Sequence, residues 1–114
     1  PFLILEKLLK ISKKYLLLNS LFTSDKVYIK TSAHDLLTDK EHNFNTIPLC
    51  KLEEFLIKHN AQILSTKDFI MPFDLEKNSV GLGSYTKQLY DGSRLTFTSQ
   101  IYLPWKFVLI EKKT

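Results

Sequence analysis

The residues best able to do chemistry in this chain are three histidines, one cysteine and a scatter of carboxylates. His34 and His42 share a polar stretch with Asp35, Asp39 and Glu41, and such a set can in principle ligate a metal ion. The spacing argues against it: no two histidines stand at i,i+3 or i,i+4, and solvated side chains explain the stretch. Cys50 and His59 suggest a thiol nucleophile and its base, but both fall in a segment of helical periodicity. At about 100° per residue they project to opposite sides of that helix. Cys50 therefore reads as a small buried residue. Glu53 and Glu54 are adjacent on the same helix and diverge. Gly81-Leu82-Gly83 lacks the third glycine and the strand-to-helix setting of a phosphate loop. An N-terminal proline can serve as a base in small tautomerases, but only if a strand follows at once, and the residues after Pro1 read as helix. No catalytic residue, metal site or cofactor is expected, and the chain reads as a non-enzyme.

The elements that would position functional groups belong to one domain's worth of chain, 114 residues with 44% apolar and 25% charged side chains. That balance excludes a disordered chain or a collagen-like repeat, and the single cysteine excludes a disulfide scaffold. The net charge is +4, and Arg94 is the one arginine among sixteen basic residues. A modest basic excess of this kind suits an anionic partner. The chain opens at Pro1 without an initiator methionine, which reads as a fragment, a processed product or part of a longer chain.

Residues 2–21 are leucine-rich, with Lys7, Lys10, Lys13 and Lys14 on one side of a helical wheel and Leu5, Leu8, Leu9 and Leu16 on the other. The expectation is an amphipathic helix stopping near Asn19-Ser20. The lysines leave no window long and apolar enough to cross a bilayer, and no membrane is expected. Residues 25–31 alternate as a half-buried strand, with Val27 and Ile29 on one side. Residues 32–47 read as irregular. Pro48 fits a first helical turn, the apolar spacing predicts a helix over 48–59, and Asn60 suits a left-handed stop. A strand begins at Ala61. Residues 66–92 hold Met71-Pro72, the glycines and the Asp91-Gly92 turn signal, and read as a long loop or hairpin. From Ser93 the chain reads as strand, interrupted at Pro104 and resuming over 105–110. The fold class expected is α+β, a mostly antiparallel sheet with helices on one face.

From residue 26 onward the chain resembles the family of the tenth protein of the small ribosomal subunit. Lys26-Val27-Tyr28-Ile29-Lys30, followed by His34-Asp35-Leu36-Leu37, is similar to the family's basic strand and its Lys-x-Phe-Asp-His-x-Leu-Leu stretch, without the Phe-Asp pair. His59-Asn60-Ala61-Gln62-Ile63-Leu64 matches a helix-to-strand turn, with Asn60 in the glycine's place. Phe69-Ile70-Met71-Pro72-Phe73 resembles an Ile-Pro-Leu-Pro segment, Ser93-Arg94-Leu95-Thr96-Phe97 fits a Ser-Arg-x-x-Phe pattern, and Phe107-Val108-Leu109-Ile110 is similar to the Ile-Asp-Ile end. The resemblance implies a ferredoxin-like sheet with a projecting hairpin loop over about 66–92. It divides the chain into an N-terminal helical extension, 1–24, and a family-like domain, 25–114. The family's final helix and strand have no counterpart up to Thr114, and its Ser-Pro-His segment is not recognisable.

The resemblance further implies a structural constituent of the small ribosomal subunit, in its head, binding small-subunit ribosomal RNA and neighbouring head proteins during translation. Lysines neutralise phosphate, an arginine binds it in a fork, and aromatic rings stack on bases. The residues expected at RNA are Lys26, Lys30, His34, Lys67, Lys77, Tyr85, Lys87 and Arg94. The apolar tract with Phe69, Met71, Pro72 and Phe73 suits a protein neighbour. No homo-oligomer is expected. The lysine bias and divergence suggest an organellar version, in the mitochondrial matrix on its ribosome; another organelle or the cytoplasm is the alternative location. The alternative function is a protein-interaction module that docks a partner through the leucine-rich first helix.

Overall fold

A computed structural model describes residues 1–77 and 83–113. Gly81 and Leu82 of the glycine pair lie outside the described residues. The described residues form two helices and eight strands in the order α1 (Phe2–Ile11), β1 (Tyr15–Thr23), β2 (Ile29–Asp35), β3 (Lys40–Pro48), α2 (Leu49–Lys58), β4 (Ala61–Asp68), β5 (Ser84–Gln88), β6 (Arg94–Thr98), β7 (Ile101–Tyr102) and β8 (Trp105–Lys112). Five strands form one sheet in the order β2-β3-β1-β8-β4; β5, β6 and β7 form a second, smaller sheet. Among these pairings only β1 with β3 is parallel. The molecule is thus α+β with a mixed, mostly antiparallel sheet, as the patterning predicts.

Both helices cover the same face of the larger sheet. Leu5 and Leu9 of α1 and Leu52 and Leu56 of α2 pack on Phe22, Ile47, Val108 and Ile110. The register explains why: Leu16 lies opposite Ile110 and Leu18 opposite Val108, so alternate residues of β1 and β8 share one side. Phe2 and Phe55 bring the helices together, their ring centroids 5.0 Å apart. α2 takes the helical positions its 3.6-residue spacing predicts, from Pro48 to a stop at Asn60, whose φ is +53°.

The first helix is shorter than expected. It stops at Ile11, and Tyr15–Thr23 is a strand at the centre of the sheet. Ser12 ends the helix in extended backbone, its hydroxyl and its amide both donating to the Leu8 carbonyl. Leu16 continues the helical face of Leu5, Leu8 and Leu9, but Leu16, Leu18 and Phe22 repeat with a period of two, and pairing with β8 selects the latter. Residues 32–47, expected as irregular, belong to an antiparallel hairpin of β2 and β3 in register from Ile29↔Thr46 to Asp35↔Lys40. Val27 and Ile29 are exposed, and Tyr28 is the residue that packs on the core. The loop expected over 66–92 holds the end of β4 and all of β5, which pairs with β6 across the Asp91-Gly92 turn. Gly92 has φ +83° there, and the Leu89 amide donates to the Ser93 carbonyl at 2.8 Å. Ser99, at φ +51°, divides the long strand expected after Ser93 into β6 and β7.

Leu56 is fully buried between α2 and the sheet. Leu56→Ala should lower unfolding free energy by about 2–5 kcal/mol, measured as a shift of the urea midpoint at constant slope.

Candidate nucleic-acid interface

The β2–β3 hairpin is a two-stranded ribbon that joins the larger sheet only at its root. Two residue pairs, Phe22↔Ile47 and Thr23↔Pro48, connect β3 to β1. Alternation gives the ribbon two unlike faces. Thr31, Ala33, Phe44 and Thr46 are wholly or partly buried, whereas Lys30, Ser32, His34, Glu41 and Asn43 point outward and are exposed. Lys30 stands across from Asn45 and Ser32 from Asn43. Two of the residues expected at RNA, Lys30 and His34, therefore share one face of the ribbon, and Lys26 is exposed in the bend before it. Sequence reasoning missed Ser32, Asn43 and Asn45. Their signal was present as polar alternation on both sides of Leu36-Leu37-Thr38-Asp39, but no Asn-Gly or Asp-Gly pair marks that turn.

The ribbon's electrostatics are graded. At the root, the Lys30 ammonium sits over the Tyr28 ring at 5.3 Å. At the tip, His34 is flanked by acid: its Nε2 is 2.9 Å from Asp39 Oδ1 and its Nδ1 is 4.0 Å from Glu41 Oε1. The Leu37 amide donates to Asp35 at 2.9 Å, and this bond, with that of Thr38, holds the Asp35 carboxyl below the usual carboxylate range. A phosphate is favoured at Lys26 and Lys30 and disfavoured near the turn.

The other expected RNA residues do not join this surface. Lys67 is exposed on β4, across from Phe107. Lys77 and Lys87 lie over the rings of Tyr85 and Phe97, 5.3 and 5.2 Å from their centroids. Tyr85 is 4% exposed, stacks on Phe97 at 5.9 Å, and its hydroxyl donates to the Ser99 carbonyl. It is a core residue of the small sheet and offers no ring to an RNA base. Arg94 Nε donates to Asp74 Oδ1 at 2.7 Å, so its guanidinium is already partnered. The stretch expected as a projecting hairpin loop, about 66–92, thus contributes a buried side chain, Tyr85, to the second sheet.

The apolar tract is more open. Phe69 meets Phe107 edge-on at 5.5 Å, Met71 is half-buried, and Pro72 and Phe73 are exposed. Leu17, on the sheet face away from the helices, is also exposed. Between the two sheets lies a cleft of about 180 Å³ lined by Asp68, Arg94, Tyr102, Trp105 and Lys106 among others. Its two cations are both committed, Arg94 to Asp74 and Lys106 to Asp68. Among the described residues no group of three or more His, Cys, Asp or Glu side chains is placed to hold a metal ion, and no helix is long and apolar enough to cross a membrane. Comparison with protein-family models, curated proteins and solved structures finds no match to this chain.

Asp74 carries a testable electrostatic signature. The Arg94 hydrogen bond and charge hold its carboxyl below the usual range, while Ser93 does the same for Asp91. A carboxyl depressed in the folded state favours folding above its unfolded pKa of about 3.9 and loses that contribution as pH falls through the folded value. Arg94→Gln should move the Asp74 titration upward and leave Asp91 low, as followed by carboxyl-carbon NMR.

Proposed function

We propose that this chain is a non-catalytic, RNA-binding structural constituent of a small ribosomal subunit, in the subunit head and of organellar, mitochondrial type. The observation that carries the RNA reading is the ribbon: a projecting two-stranded arm with Lys26 and Lys30 at its root and Ser32, Asn43 and Asn45 on its outer face. A thin polar arm fits between RNA helices. Its hydroxyl and amides suit the 2′-hydroxyls and base edges of a wide minor groove, and its lysines suit phosphate. The ordered resemblance from Lys26 to Ile110 supports the ribosomal assignment. The exposed tract of Phe73 and Pro72 beside Phe69 suits a neighbouring head protein. Binding of this kind is stoichiometric: it holds RNA geometry and turns nothing over.

A second reading, a protein-interaction module docking through α1, draws on Leu3, Ile4 and Ile11, which stay exposed on that helix. Against it, Leu5 and Leu9 are buried in the chain's own core.

The purified chain should co-sediment with small ribosomal particles from mitochondria, and Lys26→Ala/Lys30→Ala/Asn43→Ala should weaken that association without changing thermal unfolding. Capture of a single protein, with no retention on particles or RNA at low salt, overturns the ribosomal reading in favour of the second.

A further inference from the structure

Three lysine-bearing stretches far apart in sequence meet at the end of the sheet opposite the ribbon's root. Lys13-Lys14 precedes β1, Lys112-Lys113 closes β8, and Lys58-His59 closes α2 just before β4. Backbone hydrogen bonds tie them side by side. The Lys112 amide donates to the Lys14 carbonyl and the Lys113 amide to the Asn60 carbonyl, each at 2.8 Å. The register of β1 with β8, carried one residue beyond Tyr15↔Glu111, sets Lys14 opposite Lys112. Neighbouring strands lie about 5 Å apart, so two lysines leave the backbone side by side, and like charges on opposed residues cost stability.

Part of this charge has internal work. Lys112 Nζ donates to the Ser12 carbonyl at 2.8 Å, and Lys58 stands in the last turn of α2, where a cation offsets the helix dipole. Lys14 holds its ammonium over the Tyr15 ring, 5.2 Å from the centroid, while among the described residues Lys13 and Lys113 have no such partner. All three are exposed, and among the described residues no carboxylate comes within 4.0 Å of these three, of Lys58 or of Lys112. Glu111 is adjacent in sequence, and its Oε1 lies 3.4 Å from Gln62 Nε2. These five lysines exceed the chain's whole net charge of +4, so the remainder of the molecule is close to neutral.

We propose that this basic end is a second phosphate-binding surface, and that the protein bridges two separate RNA segments, one at each end of β1. The inference rests on the RNA reading above. The ribbon's root joins the last two residues of β1 and Lys13-Lys14 precedes its first, so the nine residues of β1 set the basic end on the order of 25–30 Å from that root. Anionic lipid headgroups present the same phosphate chemistry, and Ile11 and Ile57 are exposed on the two helices that end here. A flat bilayer reaches one end of the strand; a folded RNA reaches both.

The test compares wild type with Lys13→Ala/Lys14→Ala/Lys113→Ala, which spares the helix ends and Lys112, with circular dichroism confirming an unchanged fold. Binding to a short RNA stem–loop is followed by fluorescence anisotropy over a salt series. The variant should bind more weakly, with a logarithmic salt slope shallower by about 2–3, the loss of three phosphate contacts. On native gels, wild type should hold two differently labelled stem–loops at once and the variant only one. An unchanged slope with both RNAs still held overturns the basic-end site and leaves the RNA reading standing. Failure of wild type to bind RNA at low salt overturns both. Preference for phosphatidylserine vesicles over RNA at equal salt overturns the bridge and identifies the patch as a membrane contact.

Discussion

β8 is the strand on which the rest of the architecture depends. It pairs with β1 along one edge and β4 along the other, and its Val108 and Ile110 are fully buried beneath the two helices. Each such side chain contributes about 1.5–3 kcal/mol when taken out of water. Without β8, β1 and β4 have no common neighbour, and α1 and α2 have no continuous floor to share. The contacts it makes join residues near 15 to residues near 110, so the sheet closes through loops of large sequence separation. Such closure carries its entropic cost before the contacts repay it.

The same strand sets the polarity of the molecule. β1 and β4 start where β8 ends, which draws Lys13, Lys14, Asn60, Lys112 and Lys113 to one end. Where β8 begins, Trp105 and Pro104 meet the small sheet and Phe22 leads toward the ribbon, its amide donating to the Pro104 carbonyl at 3.3 Å. The small sheet encloses Tyr85, Thr96, Thr98 and Leu103, and Thr98 Oγ1 is buried without a hydrogen-bond partner among the described residues. An unmet buried hydroxyl costs about 1–3 kcal/mol, which makes this sheet the less secure of the two. At the other end, lysines of like charge gather on adjacent strands.

Where one period had no competitor, local pattern and final structure agree. Leu49, Leu52, Phe55 and Leu56 repeat at helical spacing, and the helix they form ends at Asn60 in a left-handed conformation. The Asp91-Gly92 pair forms the turn its backbone freedom suits. Where two periods fit, pattern was ambiguous: Leu16 extends the helical face of Leu5, Leu8 and Leu9 and also alternates with Leu18 and Phe22 as a strand. The ribbon was hidden because its outward side chains are short and polar and its turn lacks glycine. Tyr85 read as a stacking ring because nothing nearby in sequence reveals that Phe97 and Ser99 enclose it.

Amphipathic spacing, a left-handed asparagine and a glycine turn are short-range properties, and they were enough to establish the α+β class, the second helix and the hairpin at Gly92. Strand partners, the burial of Tyr85, the ion pairs that occupy Arg94 and Lys106, and the meeting of three distant lysine stretches are long-range properties. They arise from which edges pair and which faces close. Local chain geometry carries no information about a neighbour a hundred residues away until burial of a shared apolar face brings the two together.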